Sequence, residues 1–405
     1  MIKENIFALD LGTTKFCIAG LLYNKSNSKP SIETVSVPSR GMRRGMLSDF
    51  QESEVALNNL LDIAEKQLNL SIDKVIVGIA GSHLKGRKAT YQMDLIDHEV
   101  SGTDLNLLLK MALQRSKQPE REILHVIPIR YRVDRREYVD NPLGFSGTLL
   151  EGDYYIIDAD QSYLKDVIRV CNHCGIEVRR LYSEPFASAS VTVEEHQKQL
   201  GVAITDIGGG TSDGIVFQKG KPSDVFTVNI AGIMMTNDLA IGLNISQDEA
   251  EKVKRMFGLS PNIGNQTIDT NNLYGAPKTI TLKEAYPILA HRIFELSQYV
   301  AKELMPYKGR LGAGLLLTGG GSEIKGITNF FSKVFNIPVN KAVPSLPQIT
   351  TTDTQTKDKY STKYATVLGL INLELGKINE DNHYKKVYWP QNYISQFVNW
   401  IKELS

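Results

Sequence analysis

No apolar run in this chain approaches the ~20 residues that a helix needs to span a bilayer, so no membrane-crossing segment is expected. Cysteine is scarce. Cys17, Cys171 and Cys174 are too few for a disulfide framework, and Cys17 falls in an apolar strand, which suits a reducing cytoplasm. Neither sign of charge dominates: Lys plus Arg total 46 against 45 Asp plus Glu, a net charge of +1, so no overall field draws in nucleic acid and none is expected as a partner. No Walker pattern occurs, and the glycines at 208–214 and 319–324 are not spaced as G-x-G-x-x-G, which argues against P-loop and Rossmann sites. Met1-Ile2-Lys3-Glu4 runs straight into an apolar strand, so no secretory leader is expected. A length of 405 residues is too great for one ordinary core, and two or more subdomains are expected.

What is present is one arrangement used twice. Asp10-Leu11-Gly12-Thr13-Thr14 and Asp206-Ile207-Gly208-Gly209-Gly210-Thr211 each lie between two apolar runs, and both predict β-hairpins. A glycine turn lets backbone N–H groups face a concave site that suits phosphate oxygens, and the Thr hydroxyls add neutral donors. An Asp beside such a loop repels phosphate, so its natural task is to hold hydrated Mg²⁺. A single Asp-x-Gly turn is ordinary hairpin chemistry. Two copies, each opening one half of the chain, point to a doubled phosphate cradle.

A third glycine segment, Thr318-Gly319-Gly320-Gly321-Ser322, follows an apolar strand and precedes a helix. It suits close approach to a flat ligand, or a turn that needs positive φ. Cys171-Asn172-His173-Cys174 has zinc-like spacing but no second half-site, and it closes a helix at Gly175, so packed thiols are expected rather than a metal.

Along the chain, residues 1–82 predict the first hairpin, a strand at 32–37, a helix at 49–68 and a strand at 74–79. From 83 to about 160 the texture changes, with strands at 123–129 and 154–157 and a helix at 105–115. A helix at 162–171, a strand at 177–181 and a helix from Glu184-Pro185 return to the first pattern. In the second half, helices are expected at 236–241, 246–256, 282–304, 327–334 and 357–375, and the Asn, Thr, Gly and Pro of residues 262–278 predict a surface loop. Beyond a polar stretch at 377–388, a terminal helix puts Tyr393, Ile394, Phe397, Val398, Trp400, Ile401 and Leu404 on one broad face, just after Trp389. That pattern fits an in-plane membrane anchor, with a helix docked on its own domain as the alternative.

With these segments in hand, nearly the whole chain resembles the actin and Hsp70 superfamily and, within it, the FtsA family of bacterial cell-division proteins. Pro38-Ser39-Arg40-Gly41-Met42, Leu124-His125-Val126-Ile127-Pro128, Asn141-Pro142-Leu143-Gly144-Phe145-Ser146-Gly147, and Ala231-Gly232 with Asp238-Leu239-Ala240 are similar to that family's own segments. The resemblance implies an α/β, two-lobed actin/Hsp70-like (ribonuclease H-like) ATPase fold with an FtsA-type subdomain inserted in the first lobe. The first lobe would comprise 1–82, 164–200 and 357–376, the insert 83–163, and the second lobe 201–356, with an outer part at about 233–305. Residues 377–388 would be a linker, and 389–405 a membrane-targeting helix.

The resemblance also implies roles. Asp10 and Asp206 would organise Mg²⁺, and Gly12, Thr13, Thr14, Lys15, Gly208, Gly209, Gly210 and Thr211 would cradle the phosphates of ATP. Glu251 and Lys254 would meet ribose and adenine, with Gly319, Gly320, Gly321 and Ser322 against the base. Read from spacing alone, Glu251 and Lys254 are equally a solvated i, i+3 pair. Glu184 would orient water for an at most weak ATPase, or would simply stabilise its helix N-terminus. As a family member the protein would polymerise with itself, lie on inner-membrane lipid at the cytoplasmic face of the division site, anchor the tubulin-like FtsZ and recruit later septum proteins. An actin-like scaffold of pilus or secretion assembly and a kinase of the same superfamily remain alternatives; no general base for a kinase stands out.

Overall fold

The computed structural model describes residues 4–23, 30–96, 99–259, 266–346 and 361–379. The chain opens with β1 (Ile6–Leu11), β2 (Lys15–Leu22), β3 (Ser31–Pro38), the short pair β4 (Met42–Arg43) and β5 (Met46–Leu47), α1 (Phe50–Leu68) and β6 (Lys74–Ile79). Next come β7 (Lys85–Asp94), α2 (Gly102–Arg115), β8 (Arg121–Val133) and β9 (Leu149–Asp160). Then follow α3 (Gln161–His173), β10 (Glu177–Ser183), α4 (Glu184–Thr192) and α5 (Glu195–Leu200). The second half holds β11 (Val202–Ile207), β12 (Ser212–Gln218), β13 (Lys221–Val228), α6 (Gly232–Leu243), α7 (Gln247–Phe257), β14 (Thr267–Asn271), β15 (Pro277–Thr281), α8 (Leu282–Leu304), β16 (Leu315–Thr318), α9 (Ile327–Phe335), β17 (Val339–Lys341) and α10 (Ala365–Asn379).

Two five-stranded sheets repeat one topology: β3-β2-β1-β6-β10 and β13-β12-β11-β16-β17. In each, three antiparallel strands are joined to two parallel ones. The Asp-x-Gly loops are the β1–β2 and β11–β12 turns, and the Asp positions match, Asp10 opposite Cys17 and Asp206 opposite Asp213. Both loops therefore lie at the carboxyl ends of parallel strands, where open α/β sheets place their ligands.

Local chemistry sets the helix ends. Asp49 caps α1 by accepting from the Glu52 N–H, and Asn69 closes it in the left-handed conformation, φ 52°. Ser101 with Asp104 and Thr281 with Glu284 form capping boxes on α2 and α8.

The insert is a three-stranded sheet, β7-β9-β8, covered by α2. Strands β8 and β9 are buried on both faces. Val126, Tyr154 and Ile156 pack beneath α2, while Leu124, Ile127, Tyr155 and Ile157 join the first lobe's core. This double burial explains why Ile123 to Ile127 reads as a nearly continuous apolar run. Pro128 adjoins a β-bulge, a place where a missing N–H costs no ladder bond.

Two sequence expectations need correction. Residues 262–278 are not a plain loop: Thr267–Asn271 pairs with Pro277–Thr281 as a hairpin, while 260–265 lie outside the described residues. Its weak alternation, with Ile268, Thr270 and Ile280 buried between more exposed neighbours, is masked by turn-forming residues. The last described helix starts at Ala365, after a 3₁₀ turn at Thr362–Tyr364, rather than at 357. Strand β7 and strand β13 went unanticipated; β7 carries mostly polar residues along its length. Trp389, Tyr393, Ile394, Phe397, Val398, Trp400, Ile401 and Leu404 lie outside the described residues. Among those described, no helix is long and apolar enough to cross a membrane.

Helices α4 and α10 pack through small residues. A Cβ built on Gly369 would lie 2.0 Å from the Ala187 carbonyl oxygen. Asn372 Nδ2 donates to the Ser190 carbonyl at 3.1 Å, and Glu374, buried at the far end, takes Arg180 and the Tyr182 hydroxyl. Gly369→Ala should therefore lower unfolding free energy by about 1–3 kcal/mol through overpacking, read as a shifted urea midpoint at unchanged slope. An unchanged midpoint would show that the pair can separate without cost.

Candidate functional site

A cavity of about 990 Å³ opens between the two sheets. It is lined by Asp10, Gly12, Thr13, Thr14 and Lys15 from the first loop, and by Asp206, Gly208, Gly209, Gly210 and Thr211 from the second. Glu184, Glu251, Lys254, Gly319, Gly320 and Gly321 complete the residues anticipated from sequence. Ser322 does not line it. That side chain is buried behind the turn, where its hydroxyl donates to the Gly319 carbonyl at 2.7 Å.

The two loops meet at contact distance. A Cβ on Gly209 would lie 2.3 Å from Thr14 Cγ2, and one on Gly210 would lie 2.2 Å from Thr13 Oγ1. Glycine at both positions is what lets the lobes approach. Gly319, at φ 80°, similarly leaves room for Asp206 Oδ1, which a Cβ would approach to 2.1 Å. The backbone N–H groups of Thr13, Thr14, Gly209 and Gly210 have no hydrogen-bond partner among the described residues. That is the donor set expected of an anion cradle.

Four carboxylates crowd the same cleft. Burial raises Asp10 to about 6, with Lys15 opposing, and raises Asp206 to about 6, aided by Asp213 and Asp10 and opposed by Ser188 and Thr366. Glu184 is pushed well above the usual range, first by burial and then by Asp10, Asp213 and Asp206. Asp213 is raised by burial, although Thr211 and Thr227 hydroxyls each donate to it at 2.6 Å and the Gly81 N–H donates at 3.3 Å across the cleft. Asp206 accepts from Ser188 Oγ at 2.8 Å and Thr366 Oγ1 at 3.3 Å. Hard oxygen donors in mutual repulsion suit Mg²⁺, which commonly binds through one or two carboxylates, water and phosphate. Among the described residues, no group of three or more His, Cys, Asp or Glu is arranged as a direct metal cage. A water-mediated ion is the form these donors fit.

At the other end of the cavity, Glu251 accepts from Thr236 at 2.6 Å, Lys254 at 2.5 Å and Arg255 at 2.8 Å. Burial opposes its charge, but these partners hold Glu251 down at about 2. Lys15 Nζ donates to the Lys363 carbonyl at 2.6 Å and lies over the Tyr364 ring.

Sequence reasoning missed several contributors. Asp213 ends the second loop motif, and its cross-strand pairing with Asp206 marks it once the hairpin register is known. Thr366 and Lys363 come from a distant segment, and nothing local signals them. His125, from the insert, accepts the Ser183 N–H at 2.9 Å on Nε2 and packs on Phe186, so it anchors the backbone just ahead of Glu184.

The geometry defines a class: a two-lobed actin-like fold, with a ligand cleft between duplicated sheets and an inserted subdomain. Comparisons agree. The family model "Cell division protein FtsA" matches residues 203–369, and "SHS2 domain inserted in FTSA" matches 81–158. The cell-division protein FtsA of Pseudomonas aeruginosa is 29% identical over 84% of this chain and 83% of its own length. FtsA of Escherichia coli K12 is 27% identical over 100% of this chain and 97% of its own. Among solved structures, the PilM–PilN type IV pilus biogenesis complex superposes with a TM-score of 0.63 at 16% identity, covering 91% of this chain and 98% of that one. MreB5 of Spiroplasma citri bound to AMPPNP gives 0.56 at 16% identity, covering 94% and 99%. These two show the fold. The chain belongs to the FtsA family of cell-division proteins.

His125 supplies a pH test. Burial lowers it to about 3. Below the unfolded value of about 6.5 the unfolded chain binds the extra proton, so the stabilisation from neutral His125 is complete above that pH and declines as pH falls toward 3. Wild type should lose stability between about pH 6.5 and 4 more steeply than His125→Gln, by up to about 1.4 kcal/mol per pH unit. The difference between the two proteins isolates this residue from His83 and from the cleft carboxylates. Parallel pH curves would show that His125 does not titrate in this way.

Proposed function

We propose that the cleft binds ATP with Mg²⁺ and that the protein is a polymerising, membrane-tethered organiser of division. The observation that carries the nucleotide reading is the pair of facing loops, with four N–H groups that have no partner among the described residues and the crowded carboxylates beside them. Thr13, Thr14, Gly209 and Gly210 would cradle phosphates, Asp10 and Asp206 would hold the hydrated ion, and Glu251 with the Gly319–Gly321 turn would receive ribose and base. Bound Mg²⁺ would neutralise charge on the phosphates. Glu184 would orient water. Burial, and then Asp10, Asp213 and Asp206, raise its carboxyl above the usual range. Spiroplasma citri MreB5, of the same fold, is seen with ADP and with AMPPNP.

Self-assembly is supported by the fold of MamK, seen as a double helical filament at a TM-score of 0.51 and 14% identity. Family membership supports FtsZ and later septum proteins as partners, and the amphipathic pattern of residues 389–405 supports attachment to the cytoplasmic face of the inner membrane. The likeness to a pilus component is a likeness of fold, whereas the FtsA relatives match in sequence over nearly the full chain.

Titration calorimetry tests the first half. Wild type should bind ATP with Mg²⁺, while Gly210→Ala, whose methyl lands on Thr13, should weaken binding at least about ten-fold. Equal affinities would mean that phosphates do not sit between the loops. Co-sedimentation with anionic liposomes tests the second. A 1–388 truncation should lose vesicle binding and keep ATP affinity, and ATP should strengthen full-length binding because assembly multiplies weak anchors. Retained binding by the truncation would remove the tail from its tether role.

A further inference from the structure

The family resemblance sets Lys254 against ribose or base, but its surroundings leave it little to offer a ligand. The side chain is 8% exposed, and its ammonium lies 3.1 Å from the Gly232 carbonyl, 2.8 Å from Thr236 Oγ1 and 2.5 Å from Glu251 Oε2. A lysine ammonium has three N–H donors, and three acceptors take them. Glu251 differs. One of its oxygens meets only the exposed Arg255, so lone pairs remain for a ligand hydroxyl.

Gly232 is the first residue of α6, and the same turn grips the second loop. The Gly232 N–H donates to the Gly208 carbonyl at 3.0 Å, and the Ile233 N–H donates to the Gly209 carbonyl at 2.8 Å. A Cβ on Gly232 would lie 3.2 Å from that Gly208 oxygen, so the contact is close as well as bonded. With their carbonyls tied back to α6, Gly208 and Gly209 take a backbone orientation in which the N–H groups of Gly209 and Gly210 have no partner among the described residues. A cation beside the positive end of a helix is otherwise unfavourable. Its hydrogen bonds to the Gly232 carbonyl and to Glu251 offset that cost.

We propose that Lys254 is a positioning residue: it clamps the first turn of α6 through Gly232 and Thr236, and that turn sets the second loop for phosphate. This rests on the nucleotide reading of the cleft and moves Lys254 from the base end of the ligand to the phosphate end.

The test uses the full chain and three variants, Lys254→Met, Thr236→Val and Thr236→Ser. In nucleotide-free protein, deuterium exchange of the bonded Gly208, Gly232 and Ile233 N–H groups should rise about ten-fold in Lys254→Met and Thr236→Val, the scale of one lost charged hydrogen bond. Thr236→Ser keeps the hydroxyl and should match wild type. Affinity for a fluorescent ATP analogue should fall about ten-fold in the first two, while displacement by adenosine stays within about two-fold of wild type. Unchanged exchange in both folded variants overturns the clamp, as do ATP and adenosine affinities that fall together. If wild type binds no ATP, the nucleotide reading fails, and the exchange data still decide whether Lys254 braces the loop.

Discussion

Mutual repulsion among Asp10, Glu184, Asp206 and Asp213 is the constraint around which the rest is arranged. These carboxylates come from both lobes and converge because two sheets of identical topology face each other at the carboxyl ends of their parallel strands. Burial makes their charge expensive, and hydroxyls from Ser188, Thr211, Thr227 and Thr366 offset only part of it. The cleft thus favours cations, while the N–H groups beside it, without partners among the described residues, favour anions. A phosphate carrying a divalent ion satisfies both demands at once.

Closeness is the second demand, and glycine supplies it. At Gly209, Gly210 and Gly319 any side chain would strike the facing loop or Asp206. The same device recurs away from the cleft, where Gly369 lets α10 lie against α4. Because Thr366 on α10 and Ser188 on α4 both reach Asp206, this helix pair ties the cleft to the segment that leads toward the chain's end. A shift of either helix would be felt at the carboxylates.

The insert is bound into the first lobe rather than hung on it. Its strands β8 and β9 are buried on both faces, and Asp158 receives Arg121 at 2.5 Å and Arg87 at 3.0 Å at the junction. His125 carries that junction to the site, since it holds the backbone one residue ahead of Glu184. Lys88 and Tyr155 extend the insert to the other lobe, through Ser223 and Val225. The subdomain that marks this family is thereby in contact with both lobes.

Much of this was legible in sequence where the physics is local. The two Asp-x-Gly hairpins, the capped helix starting after Asp49, the helix at 282–304 and the turn at Gly319 each announce themselves within a few residues, because turn dihedrals, caps and apolar period are short-range properties. The hairpin at 267–281 escaped because turn-forming residues mask its weak alternation, and strand β7 because its pairing partner β9 lies far along the chain. The site divides in the same way. Sequence by itself determined which residue types form the cradle: glycine, hydroxyl and carboxylate in two matching loops. Only the tertiary structure decided that Asp213 stands opposite Asp206, that Ser322 turns away, that Thr366 reaches in from a distant helix and that Lys254 is saturated. Those facts depend on distances between segments far apart in the chain, and such distances are set by the packing of one lobe against another rather than by any local preference.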